Sequence, residues 1–185
     1  MTAYQTCKFP QLLSRSRNFT RSCVNRPIKL SCRMGVNYEH NSVSHQRRTL
    51  HSLLHNRLST NILRRGPYFR ELRNSQAIIS PFGLGEITLK DFEVFLTGGL
   101  LIKPDMGHME TWPDLYLPGE TMMAFHWDFS NLDEILDCAT TSTSKLVAAE
   151  GQNNYLRYVS GDSASELFAQ RFSLLADEVS QSTSQ

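Results

Sequence analysis

At 185 residues, with 40% hydrophobic and 20% charged positions, the chain has the size and balance of one globular domain with an irregular extension. No run approaches the roughly 20 apolar residues of a membrane-spanning helix, and no apolar h-region of a signal peptide is found. The cysteines (Cys7, Cys23, Cys32 and Cys138) form no CxxC pair, which argues against structural zinc. The expectation is a cytoplasmic protein with reduced thiols, a location compatible with peripheral membrane contact.

The net charge of +1 hides a division. Residues 1–73 carry 14 Lys and Arg against Glu39 and Glu71, a balance of +12, and the rest of the chain carries −11. Such a split fits a basic arm for nucleic acid or an acidic surface. It fits equally a basic half that meets an anionic ligand or the acidic half itself, the reading preferred after residue 44.

Residues 1–43 show no apolar period and are rich in Arg, Ser and Asn. A transit peptide, a poorly ordered leader and the remnant of a preceding domain all share that composition. Order is expected to begin near Ser44, and limited proteolysis to trim the chain to about that point. Leu50, Leu54 and Leu58 then make one helix stripe, with Arg47, Arg48 and Arg57 mostly outside it. After Gly66-Pro67 comes a short helix through Leu72, and Ala77–Ser80 reads as a buried strand. The turn Phe82–Gly85 leads into a helix over Glu86–Thr97, with Leu89, Phe92 and Leu96 on one face and Gly98-Gly99 as its stop. Leu100–Ile102 is a second buried strand, ended by Lys103-Pro104. Strand, glycine turn, helix and strand make the βαβ unit of a parallel sheet. Beyond it lie a loop over Met106–Glu120, a short strand within Thr121–Trp127, and a helix N-capped by Ser130 with Asp133 as capping-box partner. Helical patterns over Leu146–Ala149, Tyr155–Val159 and Ser163–Val179 precede a polar tail.

A glycine turn between a strand and a helix is a ready anion site, because the backbone can approach a phosphate and unpaired amides favour negative charge. Gly83-Leu84-Gly85 has that placement, although the third glycine of a dinucleotide fingerprint and a GK[ST] are both missing. Taken alone, such a turn is more often a tight connection. Glu86 is expected to open the helix, with Glu93 two turns on and on the same face, where carboxylates can each accept two sugar hydroxyls. The plain alternative makes Glu86 a dipole partner and Glu93 a surface charge. His108, Glu110 and His126 lack helical zinc spacing, so no metal is expected. Trp112 and Trp127 suit packing, or stacking on a base or sugar. No Gly-x-Ser-x-Gly elbow supports a hydrolase.

The run SPFGLGEITLKDFEVFLTGGLLIKPD (Ser80–Asp105) and its continuation to Leu132 resemble the C-terminal, nucleotide-sugar-binding domain of glycosyltransferases with the two-Rossmann GT-B architecture. The likeness is to bacterial enzymes of the group-1 or exostosin-like class, with motifs of the type SPFGxGExxxRDFE and G-x-L-x-x-KPD, and it covers about residues 45–175. The resemblance implies that Glu93 holds the ribose and that Gly83, Gly85 and Glu86 meet the diphosphate and donor sugar. It further implies that Lys90, where such motifs often carry Arg, and Lys103 pair with phosphate. Six residues separate Glu86 from Glu93, against seven in well-known retaining enzymes.

The expectation is therefore an α/β fold: a Rossmann-like parallel sheet flanked by helices, one half of a GT-B architecture, with a helical C-terminal tail. It divides into a basic leader (1–43), a donor-binding domain (44–180) and a tail (181–185). The expected activity is sugar transfer from a nucleotide donor to a glycan, lipid or protein acceptor, without a cofactor. An N-terminal-domain partner or self-association would complete the cleft. The alternative is a non-catalytic module whose basic half contacts nucleic acid or an acidic surface.

Overall fold

A computed structural model of the chain describes residues 25–160 and 162–182. Four strands, β1 (Ile28–Ser31), β2 (Ser75–Ile79), β3 (Leu100–Pro104) and β4 (Met123–Phe125), form one sheet in that order. Every neighbouring pair is parallel. The central strands have the apolar runs that a sheet covered on both faces demands. Their register, Ala77 against Leu100 and Ile79 against Ile102, sends these four side chains to one face. Ile78 and Leu101 go to the other. The fold is α/β and Rossmann-like, with a helical C-terminal tail.

Six helices accompany the sheet among the described residues: α1 (Asn41–Leu54), α2 (Arg65–Asn74), α3 (Leu89–Thr97), α4 (Leu132–Cys138), α5 (Ser142–Val159) and α6 (Ala164–Ser182). One face packs Leu50 and Leu54 of α1, Leu132 and Leu136 of α4, and Val147 and Ala148 of α5. The opposite face packs Leu72 of α2, Val94 to Leu96 of α3, and Tyr155 and Leu156 of α5. Side chains of this kind contribute roughly 1.5–3 kcal/mol each on full burial, so the two cores hold the layers together. No described helix is long and apolar enough to cross a membrane.

Glycine is required by geometry on both sides of the α3–α5 packing, at Gly98 and at Gly151. Gly98 ends α3 with φ of 69°, the left-handed conformation that glycine adopts without a Cβ penalty. On α5, a Cβ at Gly151 would stand 2.4 Å from the Thr121 carbonyl, so glycine lets the helix approach the sheet layer. This single helix spans the two patterns that the sequence suggests over Leu146–Ala149 and Tyr155–Val159.

Several boundaries differ from expectation. Order does not begin at Ser44: β1 pairs with β2, and Cys32 and Met34 belong to the core. The strand Ile-Lys-Leu-Ser lies at a sheet edge and is only half-buried, so its sequence carries a weak apolar signal. Residues 1–24 of the expected leader lie outside the described residues. The α3 helix starts at Leu89 with Thr88 as N-cap, three residues later than expected. The N-cap of α4 is Asn131 rather than Ser130. There Asp128 accepts the Ser130 amide at 3.0 Å and Asn131 accepts the His126 amide at 2.7 Å, so a tight turn occupies the expected capping position.

Candidate functional site

In open parallel sheets, ligands bind outside the carboxyl ends of the strands, because the loops there are free to diverge. At this end the loop after β2 faces the first turns of α1 and the turn after β4 across a cavity of about 480 Å³. Its walls include His45, Gln46 and Thr49 of α1, the stretch Phe82 to Glu86, and Trp127 to Phe129. Ligand clefts typically span about 300–1,000 Å³, so a small molecule fits.

The loop is held from below by a residue that sequence periodicity places outside the core. Arg47 is 6% exposed, and its guanidinium donates to the carbonyls of Phe82 (2.6 Å), Gly35 (3.0 Å) and Pro81 (3.4 Å). The ring of Tyr38 lies 4.6 Å from the guanidinium carbon. Burial lowers the Arg47 pKa from its ordinary value, with opposing contributions from Tyr38 and Cys32. Gln46 accepts the Phe82 amide at 3.2 Å, and the Gly83 amide donates to the Gly85 carbonyl at 3.0 Å. The amides of Leu84, Gly85 and Glu86 donate to no protein group among the described residues. A Cβ on Gly85 would meet nothing within 4 Å, so this backbone is open to an approaching group.

The far wall is aromatic. The Trp127 indole donates to the Asp105 carbonyl at 2.8 Å and meets Phe82 edge-on at 5.5 Å and His108 at 5.1 Å. These contacts fix a ring that remains 54% exposed. Phe129 has φ of 63°, a left-handed conformation that is costly for a bulky side chain and tends to cluster at functional sites. Nothing in a lone phenylalanine signals such a backbone. Stacking on Phe125 at 5.7 Å holds it there.

The expected site residues divide into two groups. Gly83, Gly85 and Glu86 line the cavity. The Glu86 carboxylate is 40% exposed, and His108 Nε2 stands 3.8 Å from it, beyond hydrogen-bond range. Lys90, Glu93 and Lys103 do not line the cavity. Glu86 lies before the N-cap of α3, so it does not share a helix face with Glu93. Glu93 is 6% exposed and accepts the Tyr68 hydroxyl of α2 at 2.7 Å. The Lys90 ammonium donates to the Arg33 carbonyl. Burial lowers its pKa, opposed by Cys32 and, more weakly, by Asp91 and Glu93. The Cys32 thiol beside it is pushed up to about 11 by burial, although the nearby cations pull it down.

Lys103 does not end a strand at the site. It lies within β3, fully buried, 3.0 Å from Asp91 as an ion pair without an aligned hydrogen bond, with the Phe82 ring 5.1 Å away. Burial lowers its pKa and Asp91 opposes that shift. Asp91, absent from the sequence-derived site, is the centre of a buried network. It accepts Ser80 Oγ (2.5 Å), the Thr88 amide and hydroxyl (2.9 Å each) and the Tyr116 hydroxyl (3.2 Å). The negative charge at the start of α3 is thus supplied by the protein's own aspartate.

No protein-family model matches this chain, and no curated protein matches it. The cavity's own chemistry therefore carries its interpretation. It offers backbone amides with no protein partner among the described residues, a buried guanidinium behind the loop, the carboxylates of Glu86 and Asp128, and a fixed aromatic wall. Among the described residues, no three His, Cys, Asp or Glu side chains are grouped to hold a metal ion.

Proposed function

We propose that the chain binds a nucleotide-sugar donor and serves as the donor half of a glycosyltransferase. The observation that carries this reading is the turn Gly83–Glu86, which lines a cavity at the carboxyl end of a parallel sheet and leaves the amides of Leu84, Gly85 and Glu86 without a protein partner among the described residues. Amides of this kind favour a diphosphate, and Arg47 adds a positive field beneath them, since its partners are carbonyls and one aromatic ring rather than a carboxylate. Developing charge on a leaving diphosphate would be stabilised by the same donors. The half-exposed Glu86 suits sugar hydroxyls, and the exposed Trp127 ring suits a base or sugar face. The reading rests on Gly83, Gly85 and Glu86 and leaves Lys90, Glu93 and Lys103 as structural residues.

The test is a calorimetric titration of the full chain with UDP, a UDP-sugar, GDP and single-stranded nucleic acid at two salt concentrations. A nucleoside diphosphate is expected to bind, and Gly85→Val and Glu86→Gln are expected to retain the fold. Gly85→Val should weaken the diphosphate, and Glu86→Gln should weaken the intact UDP-sugar more than UDP, by roughly 1.5–3 kcal/mol for a lost charged hydrogen bond. Absence of diphosphate binding, or equal affinity in both variants, overturns the reading. Nucleic-acid binding alone, falling steeply with salt, would favour the basic-module alternative.

A further inference from the structure

The last helix carries a surface that the sheet does not use. In α6, Ala164, Leu167 and Arg171 are the half-buried positions, on the side that meets the body. From Phe172 to Gln181 every residue is exposed. To one side of the body-facing line runs a second stripe, Phe168, Phe172, Leu175 and Val179, with exposures of 60, 64, 42 and 64%. Its spacing of four, three and four is that of a two-helix seam. Helices owe most of their stability in water to packing of an apolar face; here Phe168 meets the Trp112 ring of the body at 6.1 Å, and the stripe from Phe172 onward projects beyond that contact.

The stripe is self-complementary when reversed. Placed antiparallel on a copy of itself, Phe168 falls opposite Val179 and Phe172 opposite Leu175, so a twofold axis brings large against smaller side chains throughout. The flanking positions agree with this pairing. On one flank, Ala169 and Ala176 are small enough to let the helices approach. On the other, Arg171 falls opposite Glu178, giving two symmetric ion pairs. In the single chain Arg171 stands 3.6 Å from Glu110, a residue whose side chain is 92% exposed, so the guanidinium has only a weak solvent-facing partner to leave. A parallel pairing would set Arg171 against Ala176 and gain no ion pair. We infer that α6 is a homodimer interface that pairs antiparallel with α6 of a second copy.

The seam spans about 16 Å along the helix, short enough that association should be weak and visible only across a concentration series. Sedimentation equilibrium of the full chain over roughly 1–300 μM is expected to show a monomer–dimer equilibrium. Phe172→Asp should raise the dissociation constant by roughly tenfold or more, as removal of a central apolar anchor does. Its circular dichroism should retain the native sheet and helix signal. Arg171→Glu and Glu178→Arg should each weaken the dimer, and the two changes together should restore it, because only the antiparallel register sets these positions against each other. A chain monomeric over the whole range overturns the proposal and leaves the stripe to a different protein or domain. A dimer indifferent to Phe172→Asp, or one that the double exchange fails to restore, overturns it as well.

Discussion

Glu71 shows how one side chain can join two elements. It accepts Arg33 Nε at 2.8 Å and Nη2 at 2.7 Å in a forked pair, and the Ser31 hydroxyl at 2.6 Å. Burial by itself would raise its pKa, but the donors from Arg33 and Ser31 outweigh burial and hold it below the ordinary 4.5. A depressed carboxylate adds stability that is complete above its unfolded value and lost as pH falls through the folded one. Urea unfolding of wild type and Glu71→Gln is therefore expected to differ by about 1.5–3 kcal/mol near neutrality. The difference should shrink below pH 4.5, the value that the unfolded chain regains. A gap that stays constant down to acid pH would show that the charge of Glu71 contributes nothing. The sequence marks Glu71 only as one of two acids in a basic half, and the fold supplies the partner.

At the scale of elements, Asp91 of α3 and Lys103 of β3 decide how the β2–α3–β3 unit closes. Both side chains are fully buried. Removing one member of a buried ion pair strands the other and typically costs about 3–5 kcal/mol, whereas replacing both with apolar groups costs far less. Asp91→Leu and Lys103→Met should each lower the unfolding free energy by several kcal/mol. The double variant should be less destabilised than the sum of the two, by roughly 1–3 kcal/mol of coupling. Additive effects would mean that the ion pair carries no energy of its own. The family resemblance implies a phosphate partner for Lys103, a cation placed where a strand ends. The register of β3 turns it inward to Asp91 instead.

For the whole molecule, the decisive question is where the packed body starts. Trypsin applied to the native chain is expected to spare Arg33, whose guanidinium is clamped by Glu71 and whose neighbours Cys32 and Met34 are in the core. The resistant product should therefore retain β1. Rapid cleavage after Arg33, leaving a stable core that begins near Met34, would remove β1 from the sheet. Part of the basic half is taken up by the protein's own groups, two of its arginines inside the body and one on its surface. Arg26 donates to the Ser75 and Thr97 carbonyls, Arg47 supports the cavity loop, and Arg57 pairs with Asp133 of the acidic half.

The sequence by itself determined the central βαβ unit. Contiguous apolar runs such as Leu100-Leu101-Ile102 have no stable place except inside a covered parallel sheet, and Gly98 must end the helix between them. It also placed Gly83 and Gly85 in the turn after β2, which lines the cavity together with Glu86, a residue expected in the helix. The edge strand β1 stayed hidden because a half-exposed strand of four residues leaves no period to read. Only the tertiary structure decided the fate of the charges: Arg47 under the loop, Asp91 with Lys103 in the interior, Glu93 against Tyr68. A linear pattern records that a residue is charged. Whether that charge meets solvent, a ligand or a buried partner depends on distances between residues far apart in the chain, and those exist only after folding.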